Sequence, residues 1–129
     1  MNDICERMAN TGNSWQGSAK RVLCLCSAGL LRSPTAANVL HKHWGHNTRS
    51  AGVCRYYALV VMDDVLLIWA QEIVCMDDEQ ERAVRCEPVF KANPVPVRNL
   101  HIKDSFGWDD HTLREKIKDA YSAFEEEGA

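Results

Sequence analysis

Residues 21–34 read RVLCLCSAGLLRSP, and this stretch decides the fold. Val22 to Cys26 form a short, unbroken apolar run, the pattern of a strand buried on both faces in a parallel sheet. Ser27, Ala28 and Gly29 follow as a loop of small residues. Ser33-Pro34 predicts a helix start, with serine at the N-cap and proline at the first helical position. The helix SPTAANVLHKHW then sets Ala36, Val39, Leu40 and the His43/Trp44 pair at helical spacing, and Gly45 ends it. A strand, a tight loop and a helix in this order open an α/β unit whose loop lies at the carboxyl edge of the sheet, where such folds bind ligands.

Working outward, Thr48 to Ala51 is a second strand candidate. Asp63-Asp64 precede VLLIWA, which reads as a buried helix with acidic residues in its first turn. Glu72 to Met76 is a third strand, Asp77 to Arg85 a short charged helix opened by Asp77 and Asp78, and Val97 to Ile102 a fourth strand. Between the last two, Pro88, Pro94 and Pro96 predict loop. The final helix, Asp109 to Glu127, carries Leu113, Ile117, Ala120, Tyr121 and Phe124 on one face. Trp44 and Trp69 are expected on helix core faces. The expected fold is α/β. It is a single three-layer domain with a four-stranded parallel sheet, helices on both faces and a phosphate-binding loop after the first strand. Residues 1–19, rich in Asn, Gly and Ser, are expected to be a flexible leader, with Trp15 as its one aromatic; residues 20–129 are the expected domain.

The chain has 129 residues, 46% of them hydrophobic and 26% charged, with a formal charge of −3. That composition excludes a disordered polyampholyte. The mildly acidic balance argues against a nucleic-acid partner, which needs a basic face. No apolar run reaches the roughly 20 residues of a membrane span, and the first twenty residues lack the apolar core of a secretory signal, so the expected location is cytoplasmic. Six cysteines could make three disulfides, but a chain without an export signal and with room for a core does not need them. Cys24 and Cys26 are expected on opposite faces of their strand. No Cys-x-x-Cys or His-x-x-x-His pair points to zinc, and neither a metal nor an organic cofactor is expected.

The chemistry concentrates in Cys26-Ser-Ala-Gly-Leu-Leu-Arg32-Ser33. A helix N-terminus presents unpaired N–H groups and the positive end of its dipole, and a curled loop can turn its amides into an anion nest. Arg32 adds a planar fork of donors that matches phosphate oxygens. Gly29 can adopt the positive φ that such a curl requires. Thiols placed at a helix N-terminus beside an arginine are favoured as thiolates, so Cys26 is the candidate nucleophile. Ser33 can donate its hydroxyl to the sulfur. Ser27, Ala28, Gly29, Leu30 and Leu31 would bind the anion through their backbone. The Cys-x5-Arg spacing alone is a weak signal; the strand before it and the helix start after it give it weight.

The segment VLCLCSAGLLRSPTAANVL resembles the signature of the low-molecular-weight protein tyrosine phosphatases: a strand, a CxxxxxR[ST]-P loop and a helix. Three further patches run in that family's order. They are Thr48-Arg49-Ser50-Ala51-Gly52, Ile73-Val74-Cys75-Met76-Asp77 and Ile102-Lys103-Asp104-Ser105-Phe106, and the last resembles the loop that carries the general acid. The resemblance spans roughly residues 21–125 and is closest to a short subgroup from bacteria and their phages. It implies hydrolysis of phosphotyrosine proteins or small aryl phosphates through a cysteinyl-phosphate, without metal or cofactor. Four positions depart from the pattern: Gly29 stands where the family has asparagine, Leu30 where isoleucine is frequent, Leu31 where a second cysteine is common, and Ser105 where proline follows the acid.

Asp104 is the candidate acid, expected just past the fourth strand on the same edge as Cys26. Asp109 and Asp110 are nearby rivals that read better as caps of the last helix. Phe106 and Tyr56 are candidate aromatic walls for the substrate, with Trp108 and Tyr57 beside them; Arg55 could steer an anion. Two other activities fit the same loop. An arsenate reductase would need resolving cysteines to relay a disulfide, and Cys24 in a strand with Leu31 in the loop supports no such relay. A catalytically silent phosphate- or phosphotyrosine-binding module would have no use for Cys26, Arg32 and Asp104 together.

Overall fold

A computed structural model describes residues 19–27, 32–54, 58, 60–103 and 110–127. Among the described residues, four strands form one parallel sheet: β1 (Arg21–Cys26), β2 (Asn47–Gly52), β3 (Glu72–Cys75) and β4 (Val97–Asn99), in the order β2-β1-β3-β4. Five helices among these residues accompany them: α1 (Arg32–Trp44), α2 (Asp64–Trp69), α3 (Asp78–Arg85), α4 (Pro88–Ala92) and α5 (His111–Glu127). The chain runs from β1 outward to β2, then crosses back to place β3 on the other side of β1. The carboxyl ends of β1 and β3 therefore flank the topological switch point, where open α/β sheets leave a crevice.

β1 feeds two cores because its side chains alternate. Val22, Cys24 and Cys26 pack with Ala36, Val39 and Leu40 of α1 and with Leu113, Ile117 and Tyr121 of α5. Leu23 and Leu25 pack on the other face with Leu66 and Leu67 of α2, Val84 of α3 and Phe90 of α4. This is the expected three-layer arrangement. Cys24 and Cys26 share a face, contrary to expectation, because residues two apart on a strand project the same way. Neither forms a disulfide with another described residue. Burial raises the pKa of Cys24, and it pushes Cys75 up to about 12.

Several boundaries differ from the sequence expectation for identifiable reasons. The proline-rich stretch after Arg85 contains a helix: Pro88 stands at the first turn of α4, where its fixed φ fits and its missing N–H is not needed. α1 starts at Arg32, one residue before the predicted cap, so Ser33 lies inside the helix with its hydroxyl turned elsewhere. β4 ends at Asn99, not Ile102, because the chain bulges out at His101. The helix expected to be buried is only half so: Leu66 and Leu67 of α2 face the core, while Val65 and Ile68 are 70% and 66% exposed, because a short amphipathic helix on the sheet can bury only one face. Gly45 ends α1 at φ +73, its N–H donating to the carbonyl of His41. Trp44 meets Tyr121 edge-to-face, and Trp69 packs against the second core beneath the guanidinium of Arg49.

At the amino edge of the sheet a buried ionic cluster ties α5 to the strands. Glu72 accepts hydrogen bonds from Lys20 Nζ (3.1 Å), Arg98 Nε (3.0 Å) and the Tyr121 hydroxyl. Burial opposes the ionisation of Glu72, but the bonds from Tyr121, Arg98 and Lys20 outweigh it and hold the carboxyl below its usual range. His46 Nε2 lies 3.2 Å from the same tyrosine hydroxyl; burial and then Lys20 push its pKa down.

Candidate active site

Cys26 is the last residue of β1 and is almost wholly buried, at 3% exposure. Its Sγ lies 3.2 Å from Ser33 Oγ in the first turn of α1. The Ser33 hydroxyl is also 3.4 Å from the carbonyl of Ala51 on β2, so β1, β2 and α1 together set its position. Val53 N–H donates to the Cys26 carbonyl (3.0 Å) and Cys54 N–H to the Ser27 carbonyl (2.9 Å), which pins the loop's first residues against the chain leaving β2.

Arg32 heads α1 and is 1% exposed. Its Nη1 donates to Asp77 Oδ2 at 2.9 Å and to the Ile102 carbonyl at 2.8 Å. A buried guanidinium needs such acceptors, since an isolated buried charge is costly. Asp77 also caps α3: its side chain accepts from Glu79 N–H, while Gln80 Oε1 accepts from Asp77 N–H, completing a capping box. The sequence reading gave Asp77 only this structural role; the structure adds the ion pair to Arg32. Ser27 Oγ donates to Glu79 in the same turn. Asp77, Glu79 and the Ile102 carbonyl are the site groups that the sequence reading missed. The Met76-Asp77 pair directly after β3 was the one available signal for Asp77.

The structure thus brings Cys26, Ser27, Arg32 and Ser33 together at the switch point, at the carboxyl edge of β1. The remaining candidates, Ala28, Gly29, Leu30, Leu31, Tyr56, Asp104, Phe106 and Asp109, lie outside the described residues, as do Trp15, Arg55, Tyr57 and Trp108. The described chain reaches Lys103, directly before Asp104, with Ile102 against Arg32. Asp110, the rival acid, accepts from Leu113 N–H at 3.1 Å, as a cap of α5 should. Among the described residues no group of three or more His, Cys, Asp or Glu could hold a metal ion, and no helix is long and apolar enough to cross a membrane.

Solved structures share this architecture. YfkJ from Bacillus subtilis superposes with a TM-score of 0.61 at 16% identity, over 89% of this chain and 100% of that one. The chain has the fold of the low-molecular-weight protein tyrosine phosphatases. Wzb from Vibrio vulnificus, in complex with benzylphosphonate, gives a TM-score of 0.63 at 16% identity over 85% of this chain and 99% of that one. The YwlE arginine phosphatase from Geobacillus stearothermophilus gives 0.59 at 19% identity over 82% and 88%. No protein-family model and no curated protein matches the sequence. At these identities the likeness establishes the phosphatase-type fold; the chemistry has to be argued from the residues of this chain.

Proposed function

We propose that the protein is a cytoplasmic phosphomonoesterase of the tyrosine-phosphatase type. Cys26 attacks phosphorus in line, breaking the bond to the ester oxygen and forming a cysteinyl-phosphate. The observation that carries this reading is the pairing of Cys26 Sγ with Ser33 Oγ at 3.2 Å beside a buried arginine at a helix start. A hydroxyl donated to sulfur stabilises the attacking thiolate and, in the second step, the departing one. Arg32 and the loop amides bind the equatorial oxygens, and they grip harder as charge redistributes in the transition state. Asp104 gives its proton to the leaving oxygen, then as carboxylate takes one from the water that hydrolyses the cysteinyl-phosphate. Phe106 and Tyr56 are the proposed walls for an aryl leaving group. Neither step requires a metal or an organic cofactor.

The test is turnover of an aryl phosphate, with phosphotyrosine peptide and phosphoarginine as further substrates, because a protein of this fold is an arginine phosphatase. Release of phosphate by the wild type and none by Cys26→Ser is the expected result. Arsenate reduction in the presence of thioredoxin, without phosphate release, would favour the reductase activity instead. Phosphate binding with no turnover would favour a silent binding module.

A further inference from the structure

The chain leaves β4 through one inserted residue. Leu100 N–H donates to the Cys75 carbonyl of β3 at 2.9 Å. In an uninterrupted parallel ladder the next donor, Ile102, would reach the carbonyl of Asp77. It reaches Met76 instead, at 2.6 Å, so two residues oppose one and His101 is bulged out. His101 has φ +54, the only left-handed backbone at a non-glycine among the described residues. Histidine is one of the few side chains enriched in that region, and β-branched residues are strongly excluded from it.

Asn99 fixes the bulge. Its Oδ1 accepts the His101 N–H at 2.9 Å, closing an Asx turn, and its Nδ2 donates to Asp78 Oδ1 (2.8 Å) and Glu81 Oε1 (3.0 Å) on α3. An amide suits this position because one acceptor and two donors are all used. An aspartate there would set a third carboxylate against Asp78 and Glu81. The consequence falls one residue on: the Ile102 carbonyl is turned onto Arg32 Nη1, 2.8 Å away, beside Asp77.

We propose that the Asn99–His101 bulge aims the Ile102 carbonyl at Arg32, which makes Asn99 and His101 positioning residues for the guanidinium that grips the transferred phosphoryl group. The effect on catalysis rests on the phosphatase reading; the effect on Arg32 does not. Three variants test it: His101→Gly, which tolerates the left-handed backbone, His101→Val, which does not, and Asn99→Asp. The readouts are aryl phosphate kinetics and the Arg32 side-chain Nε–H resonance, each on variants shown to be folded by thermal melting.

His101→Gly should keep kcat and leave the Arg32 resonance in place. His101→Val and Asn99→Asp should lower kcat by about 10–100-fold, as expected for a small misplacement of a reacting group, with a smaller change in KM. Both should shift the Arg32 resonance. A folded His101→Val that keeps kcat and leaves the resonance unmoved would overturn the proposal. If His101→Val fails to fold, Asn99→Asp provides the same two readouts. If the wild type releases no phosphate, the phosphatase reading fails while the resonance still decides the positioning role.

Discussion

Arg32 Nη1 lies 2.9 Å from Asp77 Oδ2, joining the start of α1 to the N-cap of α3 across 45 residues of sequence. The pair has one member at 1% exposure and the other at 36%. The arginine is therefore held in the protein, while the carboxylate that holds it keeps part of its hydration. An arginine oriented in this way before substrate arrives loses less freedom when it meets a phosphoryl group.

Replacing Asp77 should separate capping from positioning. Asparagine is as good an N-cap as aspartate but brings no charge. Asp77→Asn should therefore keep the cap but lose the ion pair to Arg32, so that it loses kcat and is destabilised less than Asp77→Ala. Asp77→Ala loses both roles and should be less stable by about 1–3 kcal/mol, since it removes a cap and half of a partly buried ion pair. Thermal melting and steady-state kinetics on the two variants check this; equal stability losses would mean that the cap contributes nothing.

Arg32→Lys retains the charge but gives up the planar fork that reaches Asp77 and the Ile102 carbonyl and that is proposed to grip phosphate. The expected cost is about 10²–10³ in kcat/KM, comparable to deleting a preorganised oxyanion donor. Near-normal kcat/KM in this variant would mean that Arg32 does not grip the phosphoryl group.

Asp104→Asn should slow phenolic esters by about 10²–10⁴, and slow esters whose leaving group departs without a proton far less. The basic limb of its pH–rate profile should vanish. Asp110→Asn is the control: Asp110 already caps Leu113 N–H, and asparagine caps as well, so activity should be unchanged. Leaving-group dependence in the Asp110 variant rather than the Asp104 one would reassign the acid.

Stability should fall on acidification in two stages set by the cluster at the amino edge of the sheet. His46 has a folded pKa below its unfolded value near 6.5, so its contribution is complete above that pH and declines as the unfolded state takes up protons below it. Glu72 is depressed, so its contribution is present above the ordinary carboxylate pKa near 4.3 and is lost as pH falls through its folded value. The melting temperature should therefore drop from pH 7 to 5.5, and His46→Gln should flatten that first decline. A Gln variant with the wild-type slope would place the titration elsewhere.

Much of this architecture is legible in short stretches of sequence. Val22 to Cys26 and Glu72 to Met76 read as strands because buried parallel strands are continuous apolar runs, and α5 because its apolar residues repeat at helical spacing. Cys26, Arg32 and Ser33 were legible because one loop carries all three. Pro88 misled because proline opens helices as readily as it breaks them. The second role of Asp77 and the bulge at His101 depend on contacts between segments distant in sequence, which no local pattern encodes. The two-residue period of β1, correctly applied, places Cys24 and Cys26 on one face.

In the proposed mechanism Cys26 carries the phosphoryl group between the two steps. Rapid acid quenching during turnover of a radiolabelled aryl phosphate, followed by peptide mapping, tests it most directly. Label is expected on the peptide that contains Cys26 in the wild type, accumulating in Asp104→Asn only as far as hydrolysis is slowed more than attack, and no label in Cys26→Ser. Turnover by Cys26→Ser within tenfold of the wild type, or a wild type that turns over without labelling Cys26, would contradict it.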